Sequence, residues 1–149
     1  MEMTGTISAI LERKEAAIWS IPPDTKVFDA IQLMAEKNVG ALLVMAGDKL
    51  VGVMSERDYT RKIALKGKSS RDTAVREIVS TPVISAAPTH TIEHCMRLMT
   101  TNRVRHLPVL QGDKVIGVVS IGDLVNWIIS AQSEVIHQLE SYIHGQYPG

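Results

Sequence analysis

Two seven-residue stretches of the chain share one arrangement of chemically useful residue types. GVMSERD (residues 52–58) and GVVSIGD (residues 117–123) both read glycine, two apolar residues, serine, two variable residues and aspartate. Each serine stands where an apolar run gives way to a predicted helix, whose first free N–H groups attract anions. The aspartate three residues later could accept hydrogen bonds from both hydroxyls of a ribose. The pattern therefore fits a nucleotide site.

The same residue types also form a helix capping box, which needs no ligand. A serine before the helix and an acid three residues later satisfy two backbone N–H groups between them. One copy alone favours this alternative, whereas two copies in matching positions favour binding in at least one cleft. Gly52 and Gly117 would let the backbone approach a ligand closely where a side chain would intrude.

The two stretches belong to an internal repeat. Residues 18–59 align without a gap with residues 83–124, and 14 of the 42 pairs are identical, whereas average residue usage would give roughly 3. Each copy has a short β-rich stretch (residues 16–21 and 82–87), an amphipathic helical pattern, and two apolar runs around Gly-Asp-Lys before a second helix. We predict β-α-β-β-α for each copy and an α/β (α+β) fold. Cys95 lies on the apolar helical face and is expected to be buried.

The remaining segments set the domain boundaries. We place the first repeat at residues 7–66, a linker with a short helix at 67–79, the second repeat at 80–130, and a C-terminal helix and tail at 131–149. The long helix predicted over residues 124–143 has an apolar stripe, which could pack on its own domain or on a second chain.

The overall composition excludes some classes of protein. The 149 residues include 16 basic and 16 acidic side chains, and a neutral chain has no general attraction for nucleic acid, although TRKIALKGKSSR is a local basic strip. There is no signal-peptide pattern and no apolar stretch long enough to span a membrane. The single cysteine allows no internal disulfide, so we expect a cytoplasmic protein.

The duplicated pattern, the segment RHLPVL (residues 105–110) and the two serine–aspartate frames resemble a tandem pair of CBS domains, the arrangement called a Bateman module. The resemblance covers residues 7–130 and is greatest to small standalone bacterial CBS-pair proteins of signal transduction. It implies repeats packed through their sheets with pseudo-twofold symmetry, no required cofactor, and two clefts for adenosine-containing ligands such as AMP, ADP, ATP, NAD or S-adenosylmethionine. It also implies a homodimer and a downstream protein partner.

By the same resemblance, each cleft joins the frame of one repeat to the first and middle strands of the other. Site A would consist of Ser55, Arg57, Asp58, Thr81, Pro82, Val83, Arg105 and His106. Site B would consist of Lys14, Ala17, Ile18, Gly40, Ala41, Ser120 and Asp123.

The two predicted sites differ in charge. Site A has Arg105 and His106 where site B has Gly40 and Ala41, so site A is expected to hold a phosphate and to prefer AMP. Site B is expected to have more room and less fixed charge, and either to be empty or to admit a bulkier ligand such as NAD. Copy one also departs from the family pattern, because Leu43 stands where copy two has proline.

Three functions remain open from the sequence. The first is a non-enzymatic adenosine-nucleotide sensor. The second is a ligand-independent dimerisation scaffold, whose function would be carried by Trp127, Ile128 and Leu139. The third, an enzyme, has little support, because the sequence contains no nucleophile elbow, P-loop, GxGxxG or zinc-ligand spacing.

Overall fold

The computed structural model describes residues 5–14, 18–79 and 81–143. The first half contains α1 (Ile7–Arg13), β1 (Ser20–Ile21), α2 (Val27–Lys37), β2 (Ala41–Ala46), β3 (Lys49–Ser55) and α3 (Glu56–Tyr59). A π-helical turn (Thr60–Ala64) continues α3, and a 3-10 turn (Val75–Glu77) lies between the repeats. The second half contains α4 (Ile92–Asn102), β4 (His106–Gln111), β5 (Lys114–Ser120) and α5 (Ile121–Ile143).

The duplication is preserved in the register of the two hairpins. Ala41 pairs with Ser55 in β2–β3, and His106 pairs with Ser120 in β4–β5, with a bulge at the equivalent point of each antiparallel pair. The amphipathic helices α2 and α4 pack the predicted apolar residues inward, since every third or fourth position is buried. The predicted mixed α/β fold of two repeats is confirmed.

The first strand of each repeat is shorter than predicted. In the first repeat, β1 comprises only Ser20 and Ile21, which pair in parallel with β2. In the second repeat, the described structure has no strand within residues 82–87, where Ala86 alone forms a bridge to Val109. The prediction of a full strand in the second repeat is therefore wrong.

A proline accounts for this difference between the repeats. In the first repeat, the N–H of Leu43 donates to the carbonyl of Trp19 at 3.0 Å. The equivalent residue in the second repeat is Pro108, which has no N–H to donate. The equivalent bond cannot form, so the strand that would run beside β4 is reduced to a single bridge.

Each repeat is completed by the segment that precedes the other one. Helix α1 precedes the aligned residues 18–59 of the first repeat, yet its Ile7 and Ile10 are buried in the core of the second. Conversely, Val75 and Ile78 precede the second repeat and are buried in the core of the first. Two isolated bridges fasten these exchanged segments (residues 6–11 and 74–79) at the starts of α4 and α2: Thr6–Thr91 and Lys26–Ala74.

The glycines of the two serine–aspartate frames are covered by the exchanged segments. A Cβ on Gly117 would lie 2.6 Å from Cδ2 of Leu11, and one on Gly52 would lie 3.0 Å from Cβ of Val79. Both distances are shorter than van der Waals contact allows. The glycines therefore admit neighbouring side chains of the same chain, which corrects the interpretation that they make room for a ligand.

The two cores lie in separate repeats, and α5 extends beyond the second. Cys95 is fully buried, as predicted, and burial raises its pKa to about 11. One face of α5 packs Leu124, Trp127 and Ile128 into or against the second core. None of the helices formed by the described residues is long and apolar enough to cross a membrane.

Candidate functional site

The capping box forms in both repeats. In the first, Asp58 Oδ2 accepts hydrogen bonds from the Ser55 N–H at 2.9 Å and the Ser55 hydroxyl at 3.0 Å, while the Asp58 N–H donates to Ser55 Oγ at 3.2 Å. In the second, Ser120 and Asp123 exchange backbone-to-side-chain bonds of 2.8 and 3.1 Å. Neither carboxylate points outward, since the two side chains are 19% and 23% exposed. Capping and cleft formation therefore coexist.

The larger cavity, here called the first cleft, lies between the repeats beside Asp58. Its volume is about 640 Å³, within the range of roughly 300–1,000 Å³ that ligand pockets occupy. All eight residues predicted for site A line it. Apolar side chains form one part of its wall: Val53, Val83, Ile84 and Val104.

Basic side chains dominate the polar part of the first cleft. Two acidic residues face five basic ones, which are Arg57, Arg61, Lys62, Arg103 and Arg105. The guanidinium of Arg57 donates to the carbonyl of Arg103 at 2.8 Å, which ties α3 of one repeat to the end of α4 in the other. Asp58 Oδ1 lies 3.5 Å from the ammonium of Lys62. Such a cleft attracts an anion, and it also contains the carboxylates of Glu56 and Asp58.

His106 stands between the two clefts and lines both. A Cβ built on Gly40 would be 3.3 Å from Cε1 of His106, so the imidazole fills the space left by the missing side chain. Burial lowers the pKa of His106, and the charge of Lys14 lowers it further, against the opposing charges of Asp123 and Glu56. The imidazole is therefore neutral at pH 7 and offers one donor and one acceptor nitrogen.

The second cleft is smaller than the first. Its volume is about 250 Å³, below the usual range for ligand pockets. The prediction that site B has more room is therefore wrong. The physical reason is that His106 fills the space beside Gly40, while the side chain of Lys14 also enters the cleft.

An ion pair lies beside the second cleft, between Lys14, which lines it, and Asp123, which was predicted for site B but is not part of the lining. The ammonium of Lys14 donates to Asp123 Oδ2 at 2.7 Å and to the carbonyl of Val118 at 2.8 Å. Burial alone would raise the pKa of Asp123, but the bonds from Lys14 and the Ser120 N–H outweigh it and hold that pKa below its usual value. Asp123 is therefore ionised and already partnered at neutral pH.

Only some of the residues predicted for site B lie together in the structure. Lys14, Gly40, Ala41 and Ser120 line the second cleft. Ile18 is 41% exposed and is not part of that lining, and Ala17 lies outside the described residues. Within the described ranges, no group of three or more histidine, cysteine or acidic residues could hold a metal ion.

Sequence reasoning left several lining residues out of the predicted sites. Arg61 and Lys62 line the first cleft, and a signal for them existed, because they lie four residues after Arg57 and Asp58, which is one helical turn. Trp19 also lines the second cleft. The ammonium of Lys37 lies over its ring, 4.5 Å from the ring centre. No sequence pattern indicated Trp19, because its strand could place it on either face.

Two segments of the chain, residues 14–65 and 75–130, match the description of the CBS domain. The chain belongs to the CBS-domain family. Together the two matches make it a CBS pair, the module that regulatory proteins of this family contain. The resemblance derived from the serine–aspartate frames and the repeat is thereby confirmed.

Similar CBS proteins span most of this chain. The mitochondrial CBS domain-containing protein CBSX3 of Arabidopsis thaliana is 39% identical, over 99% of this chain and 78% of that protein. A solved structure from Burkholderia ambifaria MC40-6, described as a signal-transduction protein with CBS domains, is 46% identical with a TM-score of 0.82. That alignment covers 86% of this CBS pair and 96% of its relative.

A more distant CBS pair has been solved with ligands. It is in complex with 5′-methylthioadenosine and S-adenosyl-L-methionine, and it shares 19% identity and a TM-score of 0.74 with this chain, over 85% of this chain and 98% of the other. At that identity the likeness establishes the fold alone.

Proposed function

We propose that the protein is a non-enzymatic sensor whose first cleft binds an adenosine nucleotide, with AMP as the preferred ligand. The observation that carries this proposal is the position of Asp58, a largely buried carboxylate in a cavity of about 640 Å³ with basic walls. The volume suits a nucleotide, the carboxylate suits a pair of ribose hydroxyls, and the arginines suit a phosphate.

Each part of AMP has a matching part of the cleft. Adenine would lie against the apolar wall that includes Val83 and Ile84. The ribose hydroxyls would donate to Asp58, whose Oδ1 is not used by the capping box. The phosphate would bind near Arg105 and His106, as the charge difference between the repeats predicts.

Charge supports an anionic ligand over a cationic one. Five basic and two acidic side chains line the first cleft, so a phosphate is favoured there and the sulfonium of S-adenosylmethionine is not. The distant CBS pair that binds two adenosine derivatives supports the adenosine class. AMP, ADP and ATP are therefore the first candidates, with NAD next.

Isothermal titration tests this assignment. AMP is expected to bind the purified protein, and Asp58→Asn is expected to weaken binding by about tenfold or more, the loss for one hydrogen bond to a charged group. Asp48→Asn, an exposed hairpin carboxylate, is the matched control. Arg105→Ala should weaken AMP but not adenosine. Absence of binding by AMP, ADP, ATP, NAD and S-adenosylmethionine at millimolar concentration would refute the proposal.

A homodimer formed through α5 is the second part of the proposal. Val125, Ile129, Ile136 and Leu139 are exposed and follow one stripe of the helix, with spacings of four, seven and three residues, which is typical of a helix that packs on another helix. A change in this packing on nucleotide binding would carry the signal to a downstream protein partner.

The exposed stripe also supports the alternative of a ligand-independent dimerisation scaffold. Of the three residues predicted to carry that function, Trp127 and Ile128 pack on the second core, and Leu139 is exposed. Light scattering of the wild type and Ile129→Asp, with and without AMP, separates the two functions. A dimer that Ile129→Asp dissociates but AMP never alters favours the scaffold.

We also propose a cytoplasmic location. The free, buried thiol of Cys95 is compatible with a reducing compartment. Cell fractionation with an antibody against the protein checks this location, and recovery in a membrane or secreted fraction would contradict it.

A further inference from the structure

The aspartates of the two serine–aspartate frames differ in what already contacts them. The partner of Asp58 is Lys62, which comes from the same helical segment, lies 3.5 Å away and also donates to the carbonyl of Ile78 at 2.6 Å. The partner of Asp123 is Lys14, from 109 residues away, at 2.7 Å on the same oxygen that the capping box uses.

The position of Lys14 is fixed by the packing of α1. Its backbone N–H caps that helix by donating to the carbonyl of Ile10 at 3.0 Å, and Ile10 is buried in the second core. The second bond of the ammonium, to Val118 at the end of β5, holds it between the strand and the start of α5. The lysine therefore reaches the second cleft from the end of α1, a helix that is anchored in the second core.

The repeat itself provides the comparison. At an offset of 65 residues the counterpart of Lys14 is Val79, which contacts Gly52 and carries no charge. Thus the second cleft receives an ammonium from this position, whereas Val79 packs against the first core and is not part of the lining of the first cleft. Among the described residues lining the second cleft, Lys14 is the one basic side chain apart from the neutral His106.

We propose that Lys14 acts as an internal occupant of the second cleft, neutralising the charge of Asp123 that would attract a ribose hydroxyl, so that nucleotide enters the first cleft alone. This inference rests on the proposed function of the first cleft. The ammonium of Lys14 adds the attraction of an opposite charge to its hydrogen bond with Asp123, whereas a neutral hydroxyl brings the hydrogen bond alone, so a hydroxyl displaces the ammonium only at a loss. The volume of about 250 Å³ agrees with a closed cleft.

The test is the number of AMP molecules bound per chain, measured by native mass spectrometry and by isothermal titration with AMP. The wild type is expected to bind one, with a dependence on Asp58 and none on Asp123. Lys14→Met keeps the aliphatic stem and removes the charge, and is expected to bind two. The added site should vanish in Lys14→Met/Asp123→Asn. Lys14→Arg keeps a cation and should bind one.

Lys114→Met, which removes a charge from an exposed hairpin position, is the matched control and should bind one AMP. Thermal unfolding checks that each variant is folded, and Lys14→Gln replaces Lys14→Met if the latter is not. One AMP bound by both wild type and folded Lys14→Met overturns the role of Lys14 and leaves the first cleft intact. Two bound by the wild type, with one lost in Lys14→Met, also overturns it, because Lys14 then binds ligand. No AMP bound by either protein overturns the proposed function, and this inference with it.

Discussion

The imidazole of His106 lies against Gly40, in the space that a side chain at position 40 would otherwise fill. The two residues belong to different repeats. Gly40 immediately precedes β2, and His106 is the first residue of β4, which is the corresponding strand of the second repeat. Gly40, Val53 and His106 line both clefts and separate them. His106 has the largest side chain of the three, which makes the separation of the two cavities directly accessible to mutation.

His106→Ala is expected to join the two clefts and to change ligand preference. Loss of one neutral donor near the proposed phosphate position should weaken AMP binding by about fivefold. The joined cavity should accommodate the longer NAD, so the ratio of NAD to AMP affinity should rise. Competition titration measures that ratio, with His137→Ala, an exposed position of α5, as the control. An unchanged ratio would contradict the role of His106 in separating the clefts.

His106 should also make the stability of the protein depend on pH. Its pKa is lowered by burial and by Lys14 and Arg105, so between the ordinary value near 6.5 and the lower folded value the unfolded chain binds a proton that the folded chain does not. The contribution of uncharged His106 to the free energy of unfolding is therefore complete above pH 6.5 and is lost as the pH falls from 6.5 toward the folded pKa. Urea unfolding at several pH values should show that the free energy of unfolding falls less steeply between pH 7 and 5 for His106→Gln than for the wild type. Parallel profiles would show that the imidazole titrates normally.

Asp123 should contribute stability with its own dependence on acid. Because the folded pKa of Asp123 lies below its ordinary value, its contribution is complete above about pH 4 and is lost as the pH falls through the folded pKa. Asp123→Asn is expected to lower the free energy of unfolding by about 1–2 kcal/mol at pH 7, because the amide oxygen can still accept from the Ser120 N–H but no longer carries the charge that pairs with Lys14. The difference from the wild type should disappear in strong acid. Asp113→Asn, in the exposed hairpin turn, should cost little at any pH, and an equal cost for both variants would argue against the ion pair.

Gly117→Ala should destabilise the protein by about 1–3 kcal/mol, the usual cost of overpacking, because its Cβ would meet Leu11 at 2.6 Å. In the double variant, Leu11→Ala should relieve much of that cost. The double variant should therefore lose less stability than the sum of the losses in the two single variants. Gly122→Ala, whose Cβ meets only Ser120 Oγ at 3.6 Å, should leave stability within about 0.5 kcal/mol or raise it. Denaturant unfolding measures all of these. Additive single and double effects would show that Leu11 does not press on Gly117.

The features that could be predicted from the sequence are those encoded within one repeat. The helical faces of α2 and α4, the hairpins and the serine–aspartate frames each depend on residues a few positions apart. The offset of 65 residues then extended the prediction from one copy to the other. The positions of Arg105 and His106 beside Asp58 followed from the resemblance to CBS pairs, since no spacing within the chain relates them.

The features that could not be predicted depend on contacts between distant parts of the chain. No local pattern indicates that Ile7 and Ile10 complete the second core, because their partners lie beyond residue 85. The ion pair of Lys14 and Asp123 joins residues 109 positions apart. The size of the second cleft depends on the orientation of His106, which residue types alone do not determine. The position of Pro108 is visible in the sequence, but its effect depends on which neighbouring carbonyl lacks a donor, and the sequence does not show that neighbour.

The exchanged segments limit how this protein can move. To draw the two repeats apart, α1 would have to leave one hydrophobic interior and Val75 with Ile78 would have to leave the other. Opening a hinge between the halves would therefore expose apolar residues of both cores to water. Under the proposed function, a nucleotide bound between the repeats would act through small displacements that leave both cores closed, and the exposed stripe of α5 would present those displacements to another molecule.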